Sequence, residues 1–208
     1  MTGASGATRG GTERERALRE VRDLYEAAFP AEESGKFTAY DWNRSVAALE
    51  QVVGPDVLDV GVGPGQIFNL LARDAAVDRL VGIDIRWNKK LIRPERGTLQ
   101  IASILRLPFP DASFDTVLCM EVLEHLETIE FPKALREIRR VCRGALVATV
   151  PYQEPEPLWW HDRPGGHRQQ FSEEKIERWF PRAERHTIPR RPGACPWIML
   201  IERFDAAD

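Results

Sequence analysis

Val57 to Gln66 reads V-L-D-V-G-V-G-P-G-Q, a short apolar run holding one acidic residue, followed by three glycines at alternate positions. Val57, Leu58 and Val60 have the composition of a central parallel strand covered on both faces. Gly61, Gly63 and Gly65 allow a sharp turn with no side chain in the way of a ligand, and Q-I-F-N-L-L-A from Gln66 reads as the helix that follows. A strand, a glycine turn and a helix in that order point to a nucleotide-like cofactor.

Spacing narrows the cofactor. A dinucleotide fingerprint needs G-x-G-x-x-G, but counting from Gly61 or Gly63 puts Gln66 or Phe68 where the third glycine belongs. The next apolar run, Leu80 to Ile85 (L-V-G-I-D-I), ends on Asp84, whose carboxylate can accept two hydrogen bonds from a ribose diol. The pattern D-x-G-x-G-x-G from Asp59 to Gly65, placed after a long N-terminal stretch, resembles the Rossmann-like S-adenosylmethionine-dependent methyltransferases. In that family a segment like G-D-A-x-x-L-P-F-P-D-x-S-F-D precedes the fourth strand, and Ala102 to Asp115 reads A-S-I-L-R-L-P-F-P-D-A-S-F-D. Ser103 stands where the family's adenine-contacting aspartate lies; its hydroxyl and the amide of Ile104 offer substitute contacts.

The resemblance covers roughly Val57 to Phe180. It implies an α/β fold, a three-layer α/β/α sandwich with a mostly parallel seven-stranded sheet. It also implies S-adenosyl-L-methionine as cofactor, contacted by Asp59, Gly61, Gly63, Gly65, Asp84, Ile85, Ser103, Ile104 and Met120. Phe114 to Met120 is then the fourth strand and Ala145 to Val150 the fifth.

Composition agrees with one compact catalytic domain. The 208 residues are 43% hydrophobic and 29% charged, enough for one core, with no apolar run of membrane-spanning length. The expected domain is 13–208, after a Gly, Ala, Ser and Thr-rich leader, 1–12, expected to be disordered. Cys119, Cys142 and Cys195 have no metal-ligand spacing and read as reduced thiols, which implies a cytoplasmic setting. The net charge of -3 argues against a general polyanion binder, so nucleic acid is not the expected partner; a monomer or homodimer is.

Apolar periodicity places helices over Glu13 to Phe29, Trp42 to Val53, Pro132 to Val141 and Ser172 to Phe180, with final strands over Ala183 to Ile188 and Trp197 to Phe204. The helices of 13–53 include an aromatic segment, Phe37, Tyr40 and Trp42, that either covers the cofactor or pins the first helix to the sheet. The arginine face of the third helix, Arg136, Arg139, Arg140 and Arg143, reads as solvated surface.

A second loaded stretch follows the fourth strand. Glu121-Val122-Leu123-Glu124-His125 sets two carboxylates and an imidazole at the carboxyl edge of the sheet, where ligands of such folds bind. A helical turn from Glu121 would bring all three to one face, a donor set that suits Mg²⁺ or Mn²⁺. Residues 151–171 are rich in Pro and Gly and are expected to form an active-site lid. E-x-x-E-H followed by G-H-x-x-x-F-S at Gly166 to Ser172 resembles metal-assisted O-methyltransferases of the ubiquinone pathway and of small-RNA 3′-terminal ribose. That resemblance implies Glu121, Glu124, His125 and His167 as ligands. In a metal-free reading, Glu121 touches the cofactor and Glu124 and His125 cap a helix.

The chemistry expected is transfer of an activated methyl group to a hydroxyl, with Glu121, His125 and His167 as the catalytic candidates. Trp159 and Trp160 in the lid, with Tyr152, are the candidate acceptor contacts. Such aromatics suit the face of a sugar, could stack on a nucleobase, or simply fasten the lid. Among sugar-directed enzymes the chain resembles the small metal-dependent O-methyltransferases that cap methylmannose oligosaccharides. A saccharide or similar small polyhydroxylated acceptor is therefore expected.

Overall fold

The computed structural model describes residues 7–29, 39–156, 158 and 162–204, of which 7–12 and 40 by backbone alone. Its elements in chain order are α1 (Ala7–Ala28), α2 (Ala39–Leu49), β1 (Asp56–Val60), α3 (Gln66–Leu71), β2 (Arg79–Asp84), β3 (Thr98–Ile101) and β4 (Phe114–Met120). A 3₁₀ turn (Leu123–His125), α4 (Phe131–Val141), β5 (Cys142–Pro151), α5 (Glu173–Trp179), β6 (Glu184–Ile188) and β7 (Trp197–Arg203) follow. Helix α1 starts at Ala7, so part of the leader expected to be disordered is helical.

The strands form one seven-stranded sheet in the order β3-β2-β1-β4-β5-β7-β6. Strands β1 to β5 run parallel, and β7 pairs antiparallel with both β5 and β6. The expected architecture is thus present. Alternate residues of each central strand feed opposite faces. Leu58, Val117, Cys119, Leu146 and Ala148 pack against Phe131, Leu135 and Ile138 of α4, whose apolar spacing of three to four gives one buried stripe. Val57, Leu118, Val147 and Met199 pack instead against Ala48 of α2 and Phe68 and Leu71 of α3. Val21 and Tyr25 of α1 close over Trp42 and Leu70. Trp42 therefore pins the first helix, whereas Phe37 and the side chain of Tyr40 lie outside the described residues.

The differences from the sequence reading have local causes. Strand β3, T-L-Q-I, alternates polar and apolar residues over only four positions; it is a half-exposed edge strand that pairs with β2 and packs Leu99 against the core. Helix α2 stops at Leu49 rather than Val53 because the Thr116 hydroxyl of β4 both accepts from the Val53 amide (2.9 Å) and donates to its carbonyl (2.7 Å). Strand β5 begins at Cys142, without a loop, where α4 turns into extended backbone.

Of the four arginines expected to be solvated, Arg136 is exposed, whereas Arg139 and Arg140 of α4 and Arg143 at the start of β5 are engaged. Arg139 grips Glu202 of β7 with two nitrogens, and Arg140 reaches Glu137, Asp111 and the carbonyls of Leu107 and Phe109. Arg143 bridges Asp56 and Asp115, at the amino ends of β1 and β4, at 2.7 Å each. It holds the Asp115 carboxyl below the usual carboxylate range.

Gly82, in the middle of β2, is where α3 presses closest to the sheet. A Cβ there would stand 2.5 Å from Cε2 of Phe68, 2.6 Å from Cγ2 of Val62 and 2.8 Å from Cδ2 of Leu99. Gly82→Ala is expected to destabilise the fold by roughly 1–3 kcal/mol through overpacking. Urea denaturation measures it; an unchanged midpoint would show that α3 can shift at no cost.

Candidate active site

The glycine turn sits at the carboxyl end of β1, beside the point where strand order reverses between β1 and β4. Gly61, Gly63 and Gly65 all have positive φ, at 79°, 53° and 88°. Gly61 must also lack a Cβ, which would stand 2.3 Å from Cγ2 of Val122. The turn is braced from behind: the Tyr25 hydroxyl donates to the Pro64 carbonyl at 2.6 Å, and Asn69 Nδ2 donates to the carbonyls of Gly65 and Ile92. Arg96 caps the end of α3 by donating to the carbonyls of Leu71, Ala72, Asp74 and Val77.

In front of the turn lies a cleft of about 570 Å³, lined by Gly61, Gly63, Asp84, Ile85, Ser103, Ile104, Glu121 and His125 among others. Asp84 accepts from the Gly63 amide (3.0 Å) and from the Arg86 amide (3.3 Å), which fixes its carboxylate with acceptor capacity remaining for a diol. Ile85 is 66% exposed, an uncovered apolar face beside that carboxylate. The Ser103 hydroxyl accepts from the Leu105 amide. Asp59, Gly65 and Met120, also expected to contact the cofactor, are not among its lining residues. A larger cavity, about 880 Å³ between α1, α2 and the end of α3, shares no residue with the glycine turn or with the Glu and His group.

Glu121 departs from the helical turn expected of it. Its φ is 56°, and the 3₁₀ turn begins only at Leu123, because the Glu121 amide still donates to Thr149 of β5 while the chain leaves β4. Its Oε2 accepts from Trp197 Nε1 at 2.5 Å and pairs with Arg44 of α2 at 3.3 Å. The Trp197 ring lies 4.4 Å from the Arg44 guanidinium and 4.7 Å from that of Arg190. Oε1 of Glu121 is buried with no hydrogen-bond partner among the described residues.

The other three expected ligands come together. Atoms of Glu124, His125 and His167 lie within 4.8 Å of one another. Glu124 is 1% exposed, and neither of its carboxyl oxygens has a hydrogen-bond partner among the described residues. Burial foremost, then the neighbouring Glu121 charge, pushes its carboxyl well above the usual range. His125 Nδ1 donates to the Gly166 carbonyl at 3.2 Å, which leaves the lone pair of its neutral form on Nε2. Burial lowers the pKa of His125, against the opposing pull of the Gly166 carbonyl. This donor set fits a divalent cation: buried carboxyl oxygens without partners, beside imidazoles whose other nitrogens are held in hydrogen bonds.

The segment expected to act as a lid is partly strapped down. Arg168 N donates to the Glu124 carbonyl at 2.7 Å, and Gln169 Nε2 donates to the carbonyls of Leu123 and Leu126. Lys175 donates in turn to the Gln169 side chain. Tyr152 gives its hydroxyl to Glu173 and does not line the cleft. Trp159, Trp160 and His161 lie outside the described residues. The sequence reading missed Gln169, Arg44 and Trp197 as site-building residues; Arg44 and Trp197 are remote from the site in sequence, and Gln169 fills an unspecified position of the Gly166 to Ser172 pattern.

Comparison with known proteins agrees with this geometry. Residues 58–146 match the methyltransferase domain family. A demethylmenaquinone methyltransferase of Symbiobacterium thermophilum is 30% identical over 146 residues, 63% of this chain and 57% of that protein. The chain spans about half the length of the curated relatives it matches. The solved methyltransferase domain of bacterial CtHen1 superposes with a TM-score of 0.59 at 19% identity, over 79% of this chain and all of that one. The 1,6-didemethyltoxoflavin N1-methyltransferase of Burkholderia thailandensis gives 0.62 at 16%, over 99% and 92%. The matched segment carries the glycine turn and Asp84, and the sheet has the fold of these solved methyltransferases. Among the described residues no helix is long and apolar enough to cross a membrane.

Asp59 generates a test of the turn. It is 1% exposed, its Oδ2 has no partner among the described residues, and burial, then Asp84, raises its pKa from 3.8 to about 7. A carboxyl whose folded pKa is raised binds a proton on folding, so its contribution is full below the unfolded pKa and is lost as pH climbs from about 4 to about 7. Asp59→Asn removes that loss. Its thermal midpoint is expected to gain on wild type between pH 5 and pH 8; a difference independent of pH would mean that Asp59 is charged throughout.

Proposed function

We propose that this chain is an S-adenosylmethionine-dependent O-methyltransferase that holds a divalent cation, Mg²⁺ or Mn²⁺, beside the acceptor, and that the acceptor is a saccharide, in particular a methylmannoside, or a similar small polyhydroxylated molecule. The observation that carries the cation is the Glu124 carboxyl, buried with both oxygens unpartnered beside His125 and His167. Leaving such a group uncompensated costs several kcal/mol.

When bound, the cofactor supplies an already activated sulfonium methyl group, and the cation stabilises negative charge developing on an acceptor oxygen. The chain's own residues do the rest. The glycine turn admits the cofactor close to the backbone, Asp84 accepts from its ribose hydroxyls, and Ile85 and Ile104 offer apolar faces to its base. Glu124, His125 and His167 would hold the cation, while Glu121, whose other oxygen is taken by Trp197 and Arg44, stands outside that group. The single lone pair on His125 Nε2 serves either as cation ligand or, in a metal-free enzyme, as acceptor of the hydroxyl proton. Alignment of acceptor oxygen and methyl carbon in the cleft lowers the remaining barrier.

One observation favours a second acceptor class. Arg86 at the cleft, with exposed Lys89 and Arg93 in the same loop, gives the rim a positive lip suited to a phosphate-bearing chain such as an RNA 3′ end. A transfer assay over mannosides, phenols and short RNAs, each with chelator and with added Mg²⁺, separates the readings. The expected result is O-methylation of the mannoside, lost with chelator and restored by Mg²⁺, and reduced by roughly a hundredfold or more in Glu124→Gln. Undiminished transfer in chelator overturns the cation, and transfer confined to RNA ends overturns the saccharide.

A further inference from the structure

His167 Nδ1 lies 2.5 Å from Oε2 of Glu154, and both residues are buried, at 6% and 8% exposure. Glu154 stands outside the group formed by Glu124, His125 and His167, yet its backbone is built into the segment that carries His167. The chain leaves β5 through Gln153, whose φ of 52° is left-handed and turns Glu154 back toward that segment. The Gln153 amide donates to the Phe171 carbonyl at 3.0 Å, and Gln170 Nε2 donates to the Glu154 carbonyl at 2.6 Å. On the far side of His167, the Arg168 amide donates to the Glu124 carbonyl. Glu154, His167 and Glu124 thus form one connected row, with the imidazole in the middle.

A carboxylate can only accept, so the imidazole nitrogen facing Glu154 carries the hydrogen, and the lone pair of neutral His167 resides on Nε2. A carboxylate behind the ring also fixes its orientation and makes that lone pair a stronger donor to a cation. We propose that Glu154 is a positioning residue: it sets the tautomer of His167 and strengthens cation binding by Glu124, His125 and His167 without being a ligand. The proposal rests on the cation reading of that group. It separates Glu154 from a plain structural clamp, since a clamp would hold the segment without selecting which ring nitrogen bears the proton.

The test uses the full chain with Mn²⁺ as the probe. Mn²⁺ affinity is read from the paramagnetic resonance signal of the free ion, for wild type, Glu154→Gln, Glu154→Leu and Glu124→Gln. The His167 tautomer is read without metal from long-range ¹H–¹⁵N spectra. Wild type is expected to show hydrogen on Nδ1. Glu154→Leu, which removes both acceptor and charge, shifts the hydrogen toward Nε2 and weakens Mn²⁺ binding roughly tenfold to a hundredfold. Glu154→Gln, which keeps an acceptor without the charge, weakens it by roughly threefold or more and decides the matter if the leucine variant does not fold. S-adenosylmethionine affinity, measured by calorimetry, stays unchanged in both. Equal Mn²⁺ affinity in wild type and the Glu154 variants, with loss only in Glu124→Gln, overturns the role of Glu154 alone. Wild-type chain that binds no Mn²⁺ overturns the cation reading and this proposal with it.

Discussion

Parallel pairing of β1 with β4 sets Val60 beside Cys119, and pairing of β4 with β5 sets Met120 beside Thr149. Three chain segments therefore leave the sheet at one edge within a few residues of one another: the glycine turn, the run from Glu121 to His125, and the stretch that holds Glu154 and His167. Antiparallel neighbours would have sent the first two to opposite ends. The network of Arg143, Asp56 and Asp115 fixes this register at the other edge, and the cores on the two faces leave no freedom to slip, since a shift by one residue would exchange the faces of β1 and β4.

Convergence has an electrostatic cost that the site keeps rather than removes. Asp59, Glu121 and Glu124 are brought to one edge with little solvent. Burial raises the pKa of both Asp59 and Glu124, with repulsion from Asp84 added at Asp59 and from Glu121 at Glu124, where Arg44 partly offsets it. Carboxyls that burial keeps from ionising are stabilised in their charged form by a ligand that brings positive charge, as the proposed sulfonium cofactor and divalent cation would. Buried carboxyls are often no more stabilising than apolar residues of the same volume, so under the proposed function these serve binding rather than the fold.

Much of this was legible in the sequence, because the features that decide it are local. The glycine turn, Asp84 and the segment from Ala102 to Asp115 are contiguous runs whose spacing is itself the signal, and the expected architecture follows from them. Strand β3 was missed although T-L-Q-I alternates polar and apolar residues, because four residues at a sheet edge with neither face buried are the shortest run that such a pattern can mark. The helical turn expected from Glu121 was wrong in its start, because the hydrogen bond from Glu121 to Thr149 keeps that residue in the sheet. Three of the four expected ligands meet; that meeting depends on Arg168 and Gln169 strapping the segment to Leu123–His125, contacts across more than forty residues that no local pattern announces.

Glu121 shows how the remote elements are joined to the site. Its left-handed backbone costs a non-glycine residue roughly 1–3 kcal/mol and persists only where the surroundings enforce it. Enforcement comes from three directions: the Thr149 carbonyl holds its amide, while the Trp197 indole and Arg44 hold one carboxyl oxygen. Arg44 belongs to α2 and Trp197 to β7, so the N-terminal helices and the last antiparallel strand are both needed to hold a residue that ends β4. The same contacts turn the second oxygen of Glu121 inward, unpartnered, near Glu124. The Glu121 side of the cleft is therefore set by long-range packing around one strained residue, whereas the opposite side is set by a glycine turn that the sequence spells out directly.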